Sequence, residues 1–188
     1  TRLEGLGEKY NTRPQAKFYI NQSLRHRGQE QGDAFAFYQQ EHDTYQQAVD
    51  RLQAVLQPIL KVQLVERSFL PNYLFTETDL VLTVGIDGLV VNTAKYLNGQ
   101  PIIAVNPDPE HIDGILLPYT VDRAPQAVRK LLAGEQKITA ISMAEVRMND
   151  GQSLLAFNDF FIGVSTHTSA RYTILWDGKR EDQSSSGV

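Results

Sequence analysis

Residues 79–106, DLVLTVGIDGLVVNTAKYLNGQPIIAVN, predict a strand, a tight glycine turn, a helix and a second strand. The apolar run 80–84 is short and rich in branched residues, which is typical of a strand buried on both faces of a parallel sheet. Apolar residues then recur at helical spacing, and Gly99 is a predicted C-cap. Residues 101–105 form the second apolar run. This order of elements predicts an α/β fold, with helices flanking a parallel sheet.

The turn after the first strand places Asp87 between two glycines, Gly85 and Gly88, at the start of the predicted helix. In open α/β sheets, ligands bind at the carboxyl ends of the strands, and a helix N-terminus favours anions such as phosphate. A carboxylate beside a phosphate is repelled unless it holds a metal ion or takes a proton from a hydroxyl. Two interpretations are therefore open: a phosphate-associated site, or an ordinary turn in which Asp87 is the helix N-cap.

Composition limits the class of protein. Of the 188 residues, 41% are hydrophobic and 21% are charged, as in ordinary globular domains. The net charge of −4 argues against a nucleic-acid-binding protein, which would carry a basic surface. No apolar run approaches the roughly 20 residues of a membrane span, and no signal peptide is recognisable. We therefore expect a cytoplasmic protein with no nucleic-acid or membrane partner.

Cysteine and histidine chemistry is not expected. The chain has no cysteine, which excludes disulfides, thiolate nucleophiles and cysteine-bound metals. The four histidines are scattered without ligand spacing, so no metal-ligating residue is assigned. The GxGxxG pattern of dinucleotide-dependent dehydrogenases follows none of the predicted strands.

Further α/β elements are predicted on both sides of the central stretch. A short amphipathic helix is predicted around Leu3, Leu6 and Tyr10, within a polar region that extends to residue 40. The later elements are a helix that starts at Asp43 and ends near Pro58, a strand over 61–65, a loop over 107–114 and a helix over Ala124–Leu132.

Consecutive strands are predicted from residue 138 onward. Segments 138–148 and 153–164 flank an Asn-Asp-Gly hairpin signal, and a third strand, 171–176, contains Trp176 as a predicted core residue. The polar tail 177–188 has no strand pattern, which leaves the third strand alone and predicts that the chain continues. We predict an α/β nucleotide-binding domain over 1–136 and the beginning of a β-rich domain over 137–188.

Two motifs, in the right order, resemble the NAD kinase family within the NAD kinase and diacylglycerol kinase-like superfamily. VLTVGIDGLVVNTAKYL (81–97) and PIIAVNPDPEHIDGILL (101–117) are similar to the family's strand–GGDGT–helix unit and its next strand, with a GVN-type ending at Asn106. LLAFNDFFIGVSTHTSARYTILWDG (154–178) is similar to the family's ALNE segment and the strand after it. The resemblance covers about residues 43–188.

This resemblance implies a kinase that phosphorylates the 2′-hydroxyl of NAD to give NADP, with Mg²⁺ and ATP or polyphosphate as donor. Asp87 would activate the hydroxyl as the catalytic residue. The cofactor-binding residues would be Gly85, Gly88, Asn106, Asn158 and Asp159. By the same resemblance, the β-rich domain would bind NAD and assemble the protein as a homodimer or homotetramer.

The sequence departs from the family at three positions. Ile86 replaces the second glycine of GGDGT, Leu89 replaces its threonine, and Asp159 replaces the glutamate of the Asn-Glu pair. A branched residue tolerates positive φ poorly, and the Leu89 side chain cannot hydrogen-bond, although Asn92 or Thr93 could supply a substitute. Two alternatives therefore remain: a catalytically weakened nucleotide-binding homologue that acts as a sensor or scaffold, and a lipid or sugar kinase of the same superfamily.

Overall fold

Three parallel strands form a sheet in the order β1 (Val81–Val84), β2 (Ile102–Asn106) and β3 (Tyr119–Thr120). Val81 lies opposite Ile102 in the register of the first pair. Four consecutive residues of β2, from residue 103 to residue 106, are buried, as expected of a strand covered on both faces. The α/β fold with a parallel sheet flanked by helices is therefore confirmed.

The computed structural model describes residues 14–15, 17–18, 34–166 and 168–188. The chain divides into two compact units, Thr1–Ile138 and Thr139–Val188. The helix predicted around Leu3, Leu6 and Tyr10 lies outside the described residues. Within the described residues, no helix is both long enough and apolar enough to cross a membrane.

The helices of the first unit cover both faces of the sheet. Within residues 34–138, these helices are α1 (Ala34–Leu56), α2 (Asp87–Ala94) and α3 (Ala124–Leu132). On one face, α1 and α3 pack against β2 through a core of Leu52, Leu56, Ile103, Val105, Ala124, Ala127 and Val128. On the other face, Val90 of α2 packs against Ala104 and Leu117. The alternation of Ile103, Ala104 and Val105 along β2 therefore separates the two cores.

Several predicted boundaries of the first unit change. The bounds of α3 are confirmed, but α1 begins at Ala34, well before Asp43, and α2 ends at Ala94, before Gly99. The predicted strand over 61–65 is wrong, because these residues are irregular and precede a 3₁₀ helix, Arg67–Asn72. Within the described residues, β1 is an edge strand with no partner on its outer side. Within 61–65, Val62 packs against the core although its segment is irregular.

The second unit contains two antiparallel hairpins. The first pairs β4 (Ala144–Arg147) with β5 (Ser153–Ala156) around the predicted Asn-Asp-Gly turn, although both strands are shorter than predicted. The second pairs β6 (Ala170–Trp176) with β7 (Lys179–Ser185) through Asp177 and Gly178, which both have positive φ.

Two predictions for the second unit are wrong. The polar tail is not strandless, because it forms β7 and gives β6 a partner along its whole length. Trp176 lies in β6 as predicted, but it is 40% exposed and is not a core residue. Trp176 lies on the same side of β6 as the buried or half-buried Ala170, Tyr172 and Ile174, but at the end of the strand beside the Asp177-Gly178 turn, where it remains exposed.

Candidate functional site

Asp87 is the first residue of α2 and follows the carboxyl end of β1 by way of Gly85 and Ile86. Asn106 is the last residue of the neighbouring strand β2, and Val84 pairs with Val105 in the parallel register. The four predicted site residues Gly85, Asp87, Gly88 and Asn106 therefore lie at one edge of the sheet. This is the edge at which ligands bind in α/β folds.

The Asp87 carboxylate accepts hydrogen bonds from a loop that lies far along the sequence. Its Oδ2 accepts a hydrogen bond from the Ile115 backbone N–H at 3.1 Å, and its Oδ1 accepts one from the Leu116 N–H at 3.0 Å. Asp87 is therefore not the helix N-cap: that position is occupied by Ile86, whose side chain makes no capping hydrogen bond. The interpretation of Asp87 as an ordinary N-cap is wrong.

Asn106 holds the other end of the same loop. It is 5% exposed, and its Nδ2 donates to the Ile112 carbonyl at 2.7 Å. Its Oδ1 accepts from the Asp108 backbone N–H at 3.0 Å. We call residues 107–118 the site loop: Asn106 fixes its beginning, and Asp87 fixes its end.

The two glycines around Asp87 have different surroundings. Gly85 has φ +155°, and a Cβ placed there would lie 3.1 Å from the Leu89 side chain, so a glycine is required even without a ligand. Gly88 lies within α2, and the nearest atom to a Cβ placed there is Ile86 Cδ1 at 4.0 Å. The open space at Gly88 is therefore bordered by Ile86, which is 58% exposed.

The two polar residues considered as substitutes for the missing threonine lie further along α2. Thr93 is 3% exposed, and its hydroxyl donates to the Leu89 carbonyl at 2.8 Å within the helix. Asn92 is half-buried. Thr93 therefore serves the helix itself, because its hydroxyl proton is already used by a backbone carbonyl.

Asn158 and Asp159 belong to the second unit. They follow β5 in an irregular segment, and both are exposed to solvent. Their side chains are therefore accessible to a ligand of that unit. Their predicted role in binding the adenine end of NAD stays a prediction.

The sequence predicted a loop over 107–114, but not the contacts that this loop makes with Asn106 and Asp87. The Asp-Gly dipeptide at 113–114 indicates a turn, but it does not indicate that the next two backbone N–H groups face Asp87. The loop also contains a hydrogen-bonded pair, in which His111 Nδ1 lies 2.8 Å from Asp108 Oδ2. The imidazole of His111 and the ring of Phe37 in α1 form a T-shaped contact. Only the folded chain brings these groups together.

The His111–Asp108 pair should make loop stability depend on pH. The hydrogen bond to Asp108, assisted by its charge and that of Glu110, raises the pKa of His111 above 6.5. Because the folded-state pKa is raised, this contribution is fully present below the unfolded pKa and is lost as pH rises through the folded value. In an NMR titration, we expect the His111 midpoint to fall in Asp108→Asn. An unchanged midpoint would contradict the pairing.

Comparisons of the sequence with protein-family models and with curated proteins gave no match. The motifs that resemble the NAD kinase family, together with the geometry at this edge of the sheet, are therefore the basis for a functional proposal.

Proposed function

We propose that the protein is an NAD kinase-like phosphotransferase that converts NAD to NADP with ATP or polyphosphate as donor. The 2′-oxygen of NAD forms a bond to the terminal phosphorus of the donor, and the bond from that phosphorus to its bridging oxygen breaks. The bridging oxygen leaves with the electron pair, as ADP or a shortened polyphosphate. The hydroxyl proton passes to the Asp87 carboxylate.

The fixed position of the Asp87 carboxylate is the observation that carries this proposal. Two backbone N–H groups hold its oxygens at the carboxyl end of β1, and the residue is half-buried. An ionised carboxylate has about four acceptor positions, so two such bonds leave others available to a ligand hydroxyl. A carboxylate held in one orientation suits in-line transfer, which depends mainly on positioning.

In this proposal, the phosphate donor would supply most of the ligands of Mg²⁺. Protein-bound Mg²⁺ usually keeps several waters and takes one or two carboxylates together with substrate phosphates. Among the residues that the structure describes, no three acidic, histidine or cysteine side chains are grouped to hold a metal ion. Asp87 could contribute one carboxylate oxygen. When bound, Mg²⁺ would spread the negative charge of the transferring phosphoryl group.

Within this proposal, the second unit belongs to a β-rich NAD-binding domain. Its exposed residues Asn158 and Asp159 offer an amide and a carboxylate, which suit the amino group and ring nitrogens of adenine. Assembly as a homodimer or homotetramer through this domain belongs to the same proposal.

Replacing Gly88 with alanine should separate ligand binding from folding. A Cβ at this position has only an ordinary van der Waals contact, and alanine favours a helix by roughly 0.5–1 kcal/mol over glycine. We therefore expect unchanged or slightly higher stability in urea. If phosphate approaches this backbone, the affinity for ATP measured by calorimetry should fall. Equal ATP affinity in Gly88→Ala and the unmodified protein would show that phosphate does not approach Gly88.

A second candidate function is nucleotide binding without catalysis. The exposed Ile86 side chain borders the space that Gly88 leaves open, and Leu89 packs against Gly85 where the family has a threonine. Both contacts reduce the room and the hydrogen bonding available to a phosphate. Replacing Ile86 with glycine should then raise the affinity for ATP.

A coupled assay tests the proposed kinase directly. The protein is incubated with NAD, Mg²⁺ and either ATP or polyphosphate, and NADP is read with an NADP-specific dehydrogenase. NADP formation with either donor supports the proposal. Saturable NAD binding without NADP formation would instead support the second candidate, and the absence of both would overturn the assignment.

A further inference from the structure

Asn106 is a buried polar side chain at this edge of the sheet, and it makes two hydrogen bonds. It belongs to β2, which pairs with β1 on one side and places Asn106 opposite Thr120 of β3 on the other. Its amide spans the first half of the site loop, from the Asp108 N–H to the Ile112 carbonyl. A buried amide bonded at both ends transmits the rigidity of the sheet to the loop.

The second half of the site loop is held by apolar packing. Leu117 is 6% exposed and packs with Val90 of α2, while Ile112 and Leu116 are partly buried against the same core. Gly114 has φ +54° and lies close to the Leu117 side chain. The Leu117 N–H donates to the Gly114 carbonyl at 3.0 Å, so the chain makes a tight turn over residues 114–117.

This turn sets the position of the Asp87 carboxylate. The N–H groups of Ile115 and Leu116 lie directly after Gly114, and each donates to one Asp87 oxygen. The direction of these N–H groups depends on where the loop begins, which Asn106 determines. Asn106 is thus linked to Asp87 by its hydrogen bond to the Ile112 carbonyl, by the chain over 112–116, and by the two N–H bonds to the carboxylate.

We propose that Asn106, which the resemblance assigns to cofactor binding, is instead a positioning residue: it holds Asp87 in its reactive orientation through the site loop without contacting the ligand. As a statement about catalysis, this inference rests on the proposed kinase function. As a statement about structure, it concerns only the coupling between Asn106 and Asp87. The two parts require different measurements.

Amide hydrogen exchange tests the structural part without any enzyme activity. In Asn106→Ala, we expect the N–H groups of Ile115 and Leu116 to lose protection, while Ile103 and Val105 in β2 stay protected. Asn98→Ala is the matched control, because this exposed asparagine lies outside the site loop and no loss is expected there. Unchanged protection of Ile115 and Leu116 in Asn106→Ala would overturn the proposal.

A double-mutant cycle tests the catalytic part. Misplacing a reactive group by about 1 Å lowers rates roughly 100-fold, so we expect Asn106→Ala to lower kcat by about that factor, with little change in the KM of the donor. If Asn106 acts only through Asp87, it should have no further effect in the Asp87→Asn background. Additive losses would overturn the proposal. If the unmodified protein forms no NADP, the kinase assignment fails. The amide exchange experiment then tests by itself whether Asn106 and Asp87 are structurally coupled.

Discussion

Asp87→Asn should lower NADP formation by about 10²–10⁴-fold, the usual contribution of a positioned acid–base group. The asparagine amide cannot take the proton from the 2′-hydroxyl. Its NH₂ group also replaces one oxygen that accepts a loop N–H bond. A hydrogen bond to a charged group contributes about 1.5–3 kcal/mol, which is less than the typical total stability of about 5–15 kcal/mol, so the variant stays folded and the loss of activity can be measured at 25 °C.

Asp113→Asn is the matched control for this experiment. Asp113 is an exposed aspartate of the same site loop, and its replacement makes the same change in charge and size. We expect both activity and stability to stay near those of the unmodified protein. If both variants lost activity equally, the effect would come from the charge of the loop, and Asp87 would have no specific role.

Leu52→Ala should have the largest effect on stability. Leu52 is 3% exposed in α1 and packs into the core formed with β2 and α3. Removing a buried leucine side chain costs about 2–5 kcal/mol, because transfer energy is lost and a cavity remains. The free energy of unfolding of a typical protein is about 5–15 kcal/mol, so this substitution removes a large part of it. We expect a lower urea midpoint with an unchanged slope.

Leu132→Ala provides the comparison within a helix of the same unit. Leu132 is the last residue of α3 and is 52% exposed. Leucine and alanine have similar helix propensities, so the two substitutions differ mainly in burial. A change within about 0.5 kcal/mol is expected for Leu132→Ala. Equal destabilisation by the two variants would show that α1 does not pack on the sheet as described.

Elements with a strong local pattern could be predicted from the sequence. The structure confirms the strand–turn–helix–strand order of 79–106 and the bounds of Ala124–Leu132. Both were predictable because hydrophobic periodicity and glycines at element ends are local signals. The Asn-Asp-Gly hairpin is confirmed for the same reason. Elements without such signals were missed. β3 has only two residues, and β7 was missed because its residues are polar, although the Asp-Gly dipeptide before it is a hairpin signal.

The sequence by itself determined the α/β class of the first unit and the position of Asp87 at the end of a strand. Both follow from side-chain patterns within a few neighbouring residues. Only the tertiary structure decided what Asp87 contacts, because its two donors lie 28 and 29 residues further along the chain. Those donors are backbone N–H groups, which every residue except proline carries, so the sequence does not indicate which of them bind Asp87. Their direction is set by the buried amide of Asn106 and by the packing of Leu117, and these contacts exist only in the folded chain.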